Sequence, residues 1–222
     1  MYLYSVNATV RGNVIRGNTG CNGTGISTLT ATATIEYNQI VSNYQEPTCN
    51  GGSGGGIMFR GDGLRASAIS SNLIAGHLIG GYGAGIYVQG ADRVTIEGNV
   101  IRDNQANAGG GVVLNLSSGT VNNNVLLHNT AETGGGITLF SPVSNRGMRV
   151  TGNLLFGNQA TLSASGIQVV VSRDQLRLTG NTVTGASAVA LVRCELPFEI
   201  SPTNALLNTA GPTTEGFCES RH

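Results

Sequence analysis

One pattern recurs along this chain and limits what it can fold into. Asn-x-(Val/Ile/Leu)-x-x-(Asn/His) appears as NVIRGN at Asn13, NQIVSN at Asn38, NLIAGH at Asn72, NVIRDN at Asn99, NVLLHN at Asn124 and NLLFGN at Asn153. A degraded copy, NTVTGA, stands at Asn181. Successive anchors lie 25, 34, 27, 25, 29 and 28 residues apart. Self-similarity at a nearly fixed period marks a repeat architecture, in which each unit is one small element stacked on the next.

Other positions keep the same register. Three residues before the anchors stand Val10, Ile35, Ile69, Ile96, Val121, Val150 and Leu178; two residues after stand Ile15, Ile40, Ile74, Ile101, Leu126, Leu155 and Val183. Such branched apolar residues suit strand positions that always face a core. A further strand signal follows most anchors: GIST at Gly25, GIMF at Gly56, GIYV at Gly85, GVVL at Gly111, GITL at Gly136 and GIQV at Gly166. Between these strands lie turns of Gly, Asn and Ser, with no helical period. A unit of ~25 residues cannot bury its own apolar face, but stacked units pair strand on strand in parallel and share one core. At ~4.8 Å per coil, seven coils make a rod on the order of 34 Å long. The expected fold is an all-β, single-stranded parallel β-helix of seven to eight coils. Residues 1–193 form the repeats and 194–222 an irregular C-terminal cap, in which Asn204-Ala-Leu-Leu-Asn is a last irregular coil. The longer gaps, at Tyr44–Gly55, Arg60–Arg65 and Phe140–Gly147, become side loops.

These units, over roughly residues 6–192, resemble the right-handed parallel β-helix repeats of the pectin-lyase-like superfamily. The pairing of GGGI with N-x-x-x-x-N is especially similar to bacterial cell-surface and polymorphic-outer-membrane-type β-helix proteins. The resemblance implies the fold and leaves the function open, because that superfamily hosts lyases, hydrolases, epimerases, adhesins and scaffolds.

In such a stack a turn residue meets its own counterpart coil after coil. Asn tolerates left-handed backbone and carries both donors and an acceptor. Asn13, Asn38, Asn72, Asn99, Asn124, Asn153 and Asn181 are therefore expected to form one amide ladder. Asn18, Asn43, Asn104, Asn129 and Asn158, interrupted by His77, form a second. The Gly before each GI strand fits a corner that needs positive φ or close backbone approach.

Composition narrows the partners. All 12 basic residues are Arg, the acidic residues also number 12, and formal net charge is zero, which favours neither nucleic acid nor an anionic membrane. No apolar run approaches the roughly 18 residues of a membrane span. The chain enters a strand-like pattern at once, without a signal-like start, so either its start has been processed away or it is one piece of a longer chain. Cys21, Cys49, Cys194 and Cys218 form no CxxC pair. Two bridges, Cys21–Cys49 and Cys194–Cys218, would each close a short loop and place the chain in an oxidising, extracellular or cell-surface setting. Four buried free thiols in a cytosolic protein are the alternative. The triplets at Asn7, Asn22 and Asn115 are acceptable for N-glycosylation.

A search for chemistry finds little. Gly51–Phe59 has the glycines of a calcium-binding nonapeptide without its Asp, and a phosphate loop would need Lys, so no metal or cofactor is expected. His77 and His128 fall in different columns two coils apart. Glu36 and Glu97 share an outward column two coils apart, about 9.6 Å, a separation that suits an inverting carboxylate pair. Arg16 and Arg102 share another column, with Asp103 beside the latter. Solvated charge is the preferred reading of the glutamate and arginine pairs, and no metal site is expected at the histidines. Thr9, Thr34, Thr95 and Thr120 share a column that Ala68, Arg149 and Arg177 interrupt, which argues against an ice-binding face.

Two sets of residues are candidates for a partner surface. Regular alternation turns the residue after each anchor outward, together with Leu127 and Phe156 three after. An Asn turn that rotates the residue after the anchor into the core would bury that first column, and this geometry is preferred for it. The uncharged GIxV face, with Met58, Tyr87 and Val113, is then the contact candidate. The chain is thus expected to be a non-enzymatic surface module with a structural, adhesive or self-assembling role. Its first coil would present unpaired strand edges to a neighbour. The alternative is a polysaccharide-binding or polysaccharide-cleaving or epimerising protein with a site near Asp62, Glu97 and Arg102.

Overall fold

In the computed structural model, which describes residues 1–61, 65–140, 147–170, 176–185 and 187–220, the chain winds as a solenoid of parallel strands. Three sheets run along the rod. The first holds nine strands, from Tyr2–Tyr4 to Thr214–Ser220. The second holds seven, from Asn7–Arg11 to Leu176–Thr179, and the third eight, from Val14–Arg16 to Ala205–Asn208. Each strand pairs with its counterpart one repeat on, so that Ile69 lies between Ile35 and Ile96, and Ile74 between Ile40 and Ile101. The predicted inward columns coincide with one continuous core, completed by Ile57, Ile86, Val112, Ile137 and Ile167 of the first sheet.

The corner between the second and third sheets explains why Asn marks the repeat. The residue just before each anchor is left-handed, whether glycine, as at Gly98 (φ 62°), or not, as at Ser71 (55°) and Asn123 (54°). One such residue turns the chain within a single step. The Asn that follows then points inward, and extended alternation resumes at once.

Inside the corner the anchors form the expected ladder. The backbone N–H and the side-chain Nδ2 of each Asn both donate to Oδ1 of the next, at 2.9–3.1 Å, from Asn13 through to Asn204. A main-chain N–H can only donate, so the atom it meets must be oxygen, and the orientation of every amide is fixed. The remaining Nδ2 hydrogen goes back to a carbonyl of the preceding coil, as from Asn99 to Ile69 O (2.8 Å) and from Asn124 to Ile96 O (2.9 Å). The ladder continues beyond the expected repeats: Asn181 donates to Asn204, and Ala205–Asn208 extends the third sheet.

The second ladder is also present, with His77 standing in for a carboxamide. Its Nδ1 takes the N–H of Asn43 (3.1 Å) where the other rungs use Oδ1, and its Nε2 donates to Ile40 O (3.0 Å) where they use Nδ2. Substitution of an imidazole is incomplete, because Asn104 Oδ1 receives only the backbone N–H of His77. Burial pushes the imidazole pKa from its ordinary 6.5 down to about 4, the two backbone hydrogen bonds opposing the shift only partly.

The glycine that opens each GI strand serves close approach rather than positive φ. A Cβ on Gly136 would stand 2.5 Å from Gly166 O of the next coil and 2.7 Å from Leu155 Cδ2, and its φ is not left-handed. Gly136→Ala is therefore expected to cost about 1–3 kcal/mol by overpacking alone, read as a lower urea midpoint. Disulfides join Cys21 to Cys49 and Cys194 to Cys218, with Cα–Cα distances of 5.5 and 5.1 Å. Such bonds persist in a non-reducing environment.

Candidate contact face

Six of the eight strands of the third sheet have three residues, and the middle one faces the core. Val100–Arg102 shows the pattern: Val100 and Arg102 face out and Ile101 faces in. Two outward columns result. One runs through Val14, Gln39, Leu73, Val100, Val125, Leu154, Thr182 and Ala205, the other through Arg16, Val41, the buried Ala75, Arg102, Leu127, Phe156, Thr184 and Leu207. Val14 is 62% exposed, Leu154 41%, Phe156 50% and Leu207 59%. This corrects the expectation that the Asn turn rotates the residue after the anchor into the core. The left-handed residue precedes the Asn, so the whole turn is complete before the strand begins and alternation is undisturbed.

The GIxV face requires the opposite correction. Met58 (2%), Tyr87 (4%) and Val113 (0%) point away from the main core, yet they are buried. The chain before each GI strand folds back over this column: a Cβ on Gly109 would meet Val113 Cγ2 at 2.0 Å. Two aromatic residues complete the cover. Phe140 packs on Met58, Tyr87 and Val113, and the Tyr82 ring lies 6.3 Å from that of Tyr87 and edge-on to Phe140 at 6.2 Å. Asn115 Nδ2 donates to the Tyr87 hydroxyl at 2.8 Å. The face proposed for a partner is thus a second, smaller core, whereas Leu127, half-buried, and Phe156 lie on the open sheet.

The charged candidates are placed as follows. Glu36 and Glu97 do share a column, with Ser70 between them. Each has a partner: Arg11 Nε stands 3.4 Å from Glu36, and Asn122 Nδ2 donates to Glu97 at 2.8 Å. Asp62 lies outside the described residues. Among the described residues, no three His, Cys, Asp or Glu side chains stand together as a metal site, and no helix is long and apolar enough to cross a membrane.

Sequence reasoning missed the juxtaposition at the edge of the open sheet. Asp103 and His128 both hold left-handed corner positions, at φ 56° and 52°. Asp103 bonds Arg102, and its other oxygen stands 3.9 Å from His128 Nδ1. The imidazole packs edge-on to Phe156, ring centroids 5.8 Å apart, and sits where a Cβ on Gly157 would be 2.6 Å from its Cδ2. Beside it opens a groove of about 530 Å³ lined by His128, Phe156, Gln159, Thr184, Leu207 and Thr209. The signal was an aromatic residue, Phe156, at the outward position three after its anchor, one repeat after a corner histidine.

Stacked three-strand coils joined by axial amide ladders define a β-helix protein. The family model described as "Right handed beta helix region" matches residues 2–194, and the chain belongs to that family. The likeness to the pectin-lyase-like superfamily is consistent with this membership. Comparison with curated proteins and with solved structures gave no match.

Proposed function

We propose that this chain is a non-enzymatic structural and adhesive rod of the cell exterior, which presents the open face of its third sheet to a second copy of itself. The exposed apolar side chains on these columns, Val14, Val100, Leu154, Phe156 and Leu207, carry this reading, because exposed apolar surface on one face usually marks an interaction site. A second copy is the favoured occupant because the columns repeat once per coil, so two such faces match at the same ~4.8 Å spacing. The disulfides support an exterior location. The Asn amides, which would otherwise suggest recognition, are engaged with one another.

Sedimentation velocity over a concentration series tests the reading. The wild-type chain should shift to larger species as concentration rises. Phe156→Ser with Leu207→Ser should weaken that association by at least roughly tenfold, as expected from the apolar area removed, without lowering the thermal midpoint. A wild-type chain that stays monomeric throughout would overturn it. A second reading, carbohydrate contact, is favoured by the groove that sets Phe156 beside Gln159, Thr184 and Thr209. An oligosaccharide that perturbs Phe156 and His128 resonances and dissolves the self-association would select it.

A further inference from the structure

The second sheet carries a different feature, on another side of the rod and independent of the apolar face. A cleft of about 340 Å³ opens at its edge. Val94, Ser118 and Gly147, all buried, form its floor. Thr95 and Thr120, neighbours in register, line its wall, and the exposed Arg93 and Arg149 stand at its rim. Register places Arg149 two coils beyond Arg93, about 9.6 Å along the rod, with the Thr95–Thr120 step between them. The next coil adds Arg177, directly opposite Arg149.

Two observations require explanation. Like charges directly opposite on neighbouring strands are destabilising, yet Arg149 and Arg177 stack in a column whose earlier members are Thr95 and Thr120. Of the carboxylates nearby, Asp92 accepts from Ser118 Oγ at 2.8 Å and Glu97 from Asn122 Nδ2 at 2.8 Å. Elsewhere on the rod exposed arginines do have ion pairs, as Arg11 has with Glu36, Arg102 with Asp103 and Arg193 with Glu215. Among the described residues no such pair is recorded for Arg93, Arg149 or Arg177.

We infer that this cleft binds a tetrahedral oxyanion, a sulfate ester or phosphate monoester. Guanidinium groups give charge-assisted, forked hydrogen bonds to such oxygens. The two threonine hydroxyls supply neutral donors between them. A tetrahedral group directs oxygens toward both rims and the wall at once, which a planar carboxylate does not. Arg177 extends the positive column along the axis, so an anion carried on a polymer lying along the rod meets a second charge one coil on.

The test is an amide-resolved NMR titration with inorganic sulfate and inorganic phosphate, followed by calorimetry with dextran sulfate. Shifts should concentrate at Thr95, Ser118, Gly119, Thr120 and Arg149, with acetate giving none. Phosphate affinity should rise as pH is raised from 5 through neutrality, where the inorganic ion loses its second proton; a phosphate monoester would show the same rise lower, near pH 6. Sulfate affinity should stay flat over that range, which separates the two sources. Arg149→Thr with Arg177→Thr should weaken dextran sulfate binding by at least roughly tenfold, the value of one charge-assisted bond. Arg16→Thr, on the third sheet, should leave it unchanged. Because the replacement removes facing like charges, the double variant should melt no lower than wild type. Absence of localised shifts, equal loss in Arg16→Thr, or a lowered melting midpoint in the double variant would each overturn the site.

Discussion

Asn124→Ala should cost the rod about 3–5 kcal/mol, because it leaves buried donors with nothing to meet. Asn124 Oδ1 is the acceptor for both the backbone N–H and the Nδ2 of Asn99, at 3.0 Å each. Its own Nδ2 donates to Ile96 O and to Asn153 Oδ1. It donates to Asn122 O as well, at 3.0 Å. Alanine removes all of these bonds while the sheets on either side hold the coil in place, so water is not admitted to replace them. Each buried orphan costs about 1–3 kcal/mol, and two are donors on one residue. Asn13→Ala is the control. Asn13 is half-buried, and its recorded side-chain bonds are donations, to Arg11 O and Asn38 Oδ1. Its removal therefore strands no buried donor and should cost under about 1 kcal/mol. Urea unfolding measures both. Equal losses at the two positions would mean that the ladder contributes nothing beyond the strand pairing around it.

What the repeat made legible follows from its averaging. A column such as Ile35, Ile69, Ile96, Val121 and Val150 occupies one environment in every coil, so accidents at a single copy do not obscure it. The ladders were readable for the same reason, and the anchors sat next to their corners in every copy. The contact face was not readable, because cover comes from residues that occur once. Phe140 opens a side loop, and Tyr82 is the aromatic member of a stacked position held elsewhere by Ser53, Ala108 and Thr133, so nothing in the period says that their rings close over Tyr87. The direction of the residue after the anchor depended on which residue takes the left-handed corner. Gly12, Gly98, Gly152 and Gly180 just before the anchors carried that information, but Tyr37 and Ser71 at the same position masked it. The arginine cleft was visible only as an interruption of a threonine column. Its meaning required the register, which sets Arg177 directly opposite Arg149.

The second large effect belongs to His77, and it appears as a dependence of stability on pH. In the folded rod the buried imidazole holds a proton only near pH 4, whereas in the unfolded chain it does so near 6.5. Between those values the unfolded chain binds more protons, so stability falls as pH falls through that window. Its contribution is complete above about 6.5, declines on acidification and levels off below 4. A separation of that size corresponds to about 3 kcal/mol at most. The structural reason is specific. Protonated Nδ1 would direct a hydrogen at the N–H of Asn43, which now donates to it, and would break the rung. His77→Asn restores the carboxamide found at Asn104 and Asn129, whose side chains donate onward to the next Oδ1 as well as back to a carbonyl. The variant should be at least as stable as wild type at pH 7.5, and its advantage should grow by about 3 kcal/mol on going to pH 4. The difference between the two proteins isolates this one group, since every carboxylate is common to both. Urea midpoints at half-unit pH steps would record it. Parallel curves for wild type and variant would show that His77 is not held neutral in the ladder.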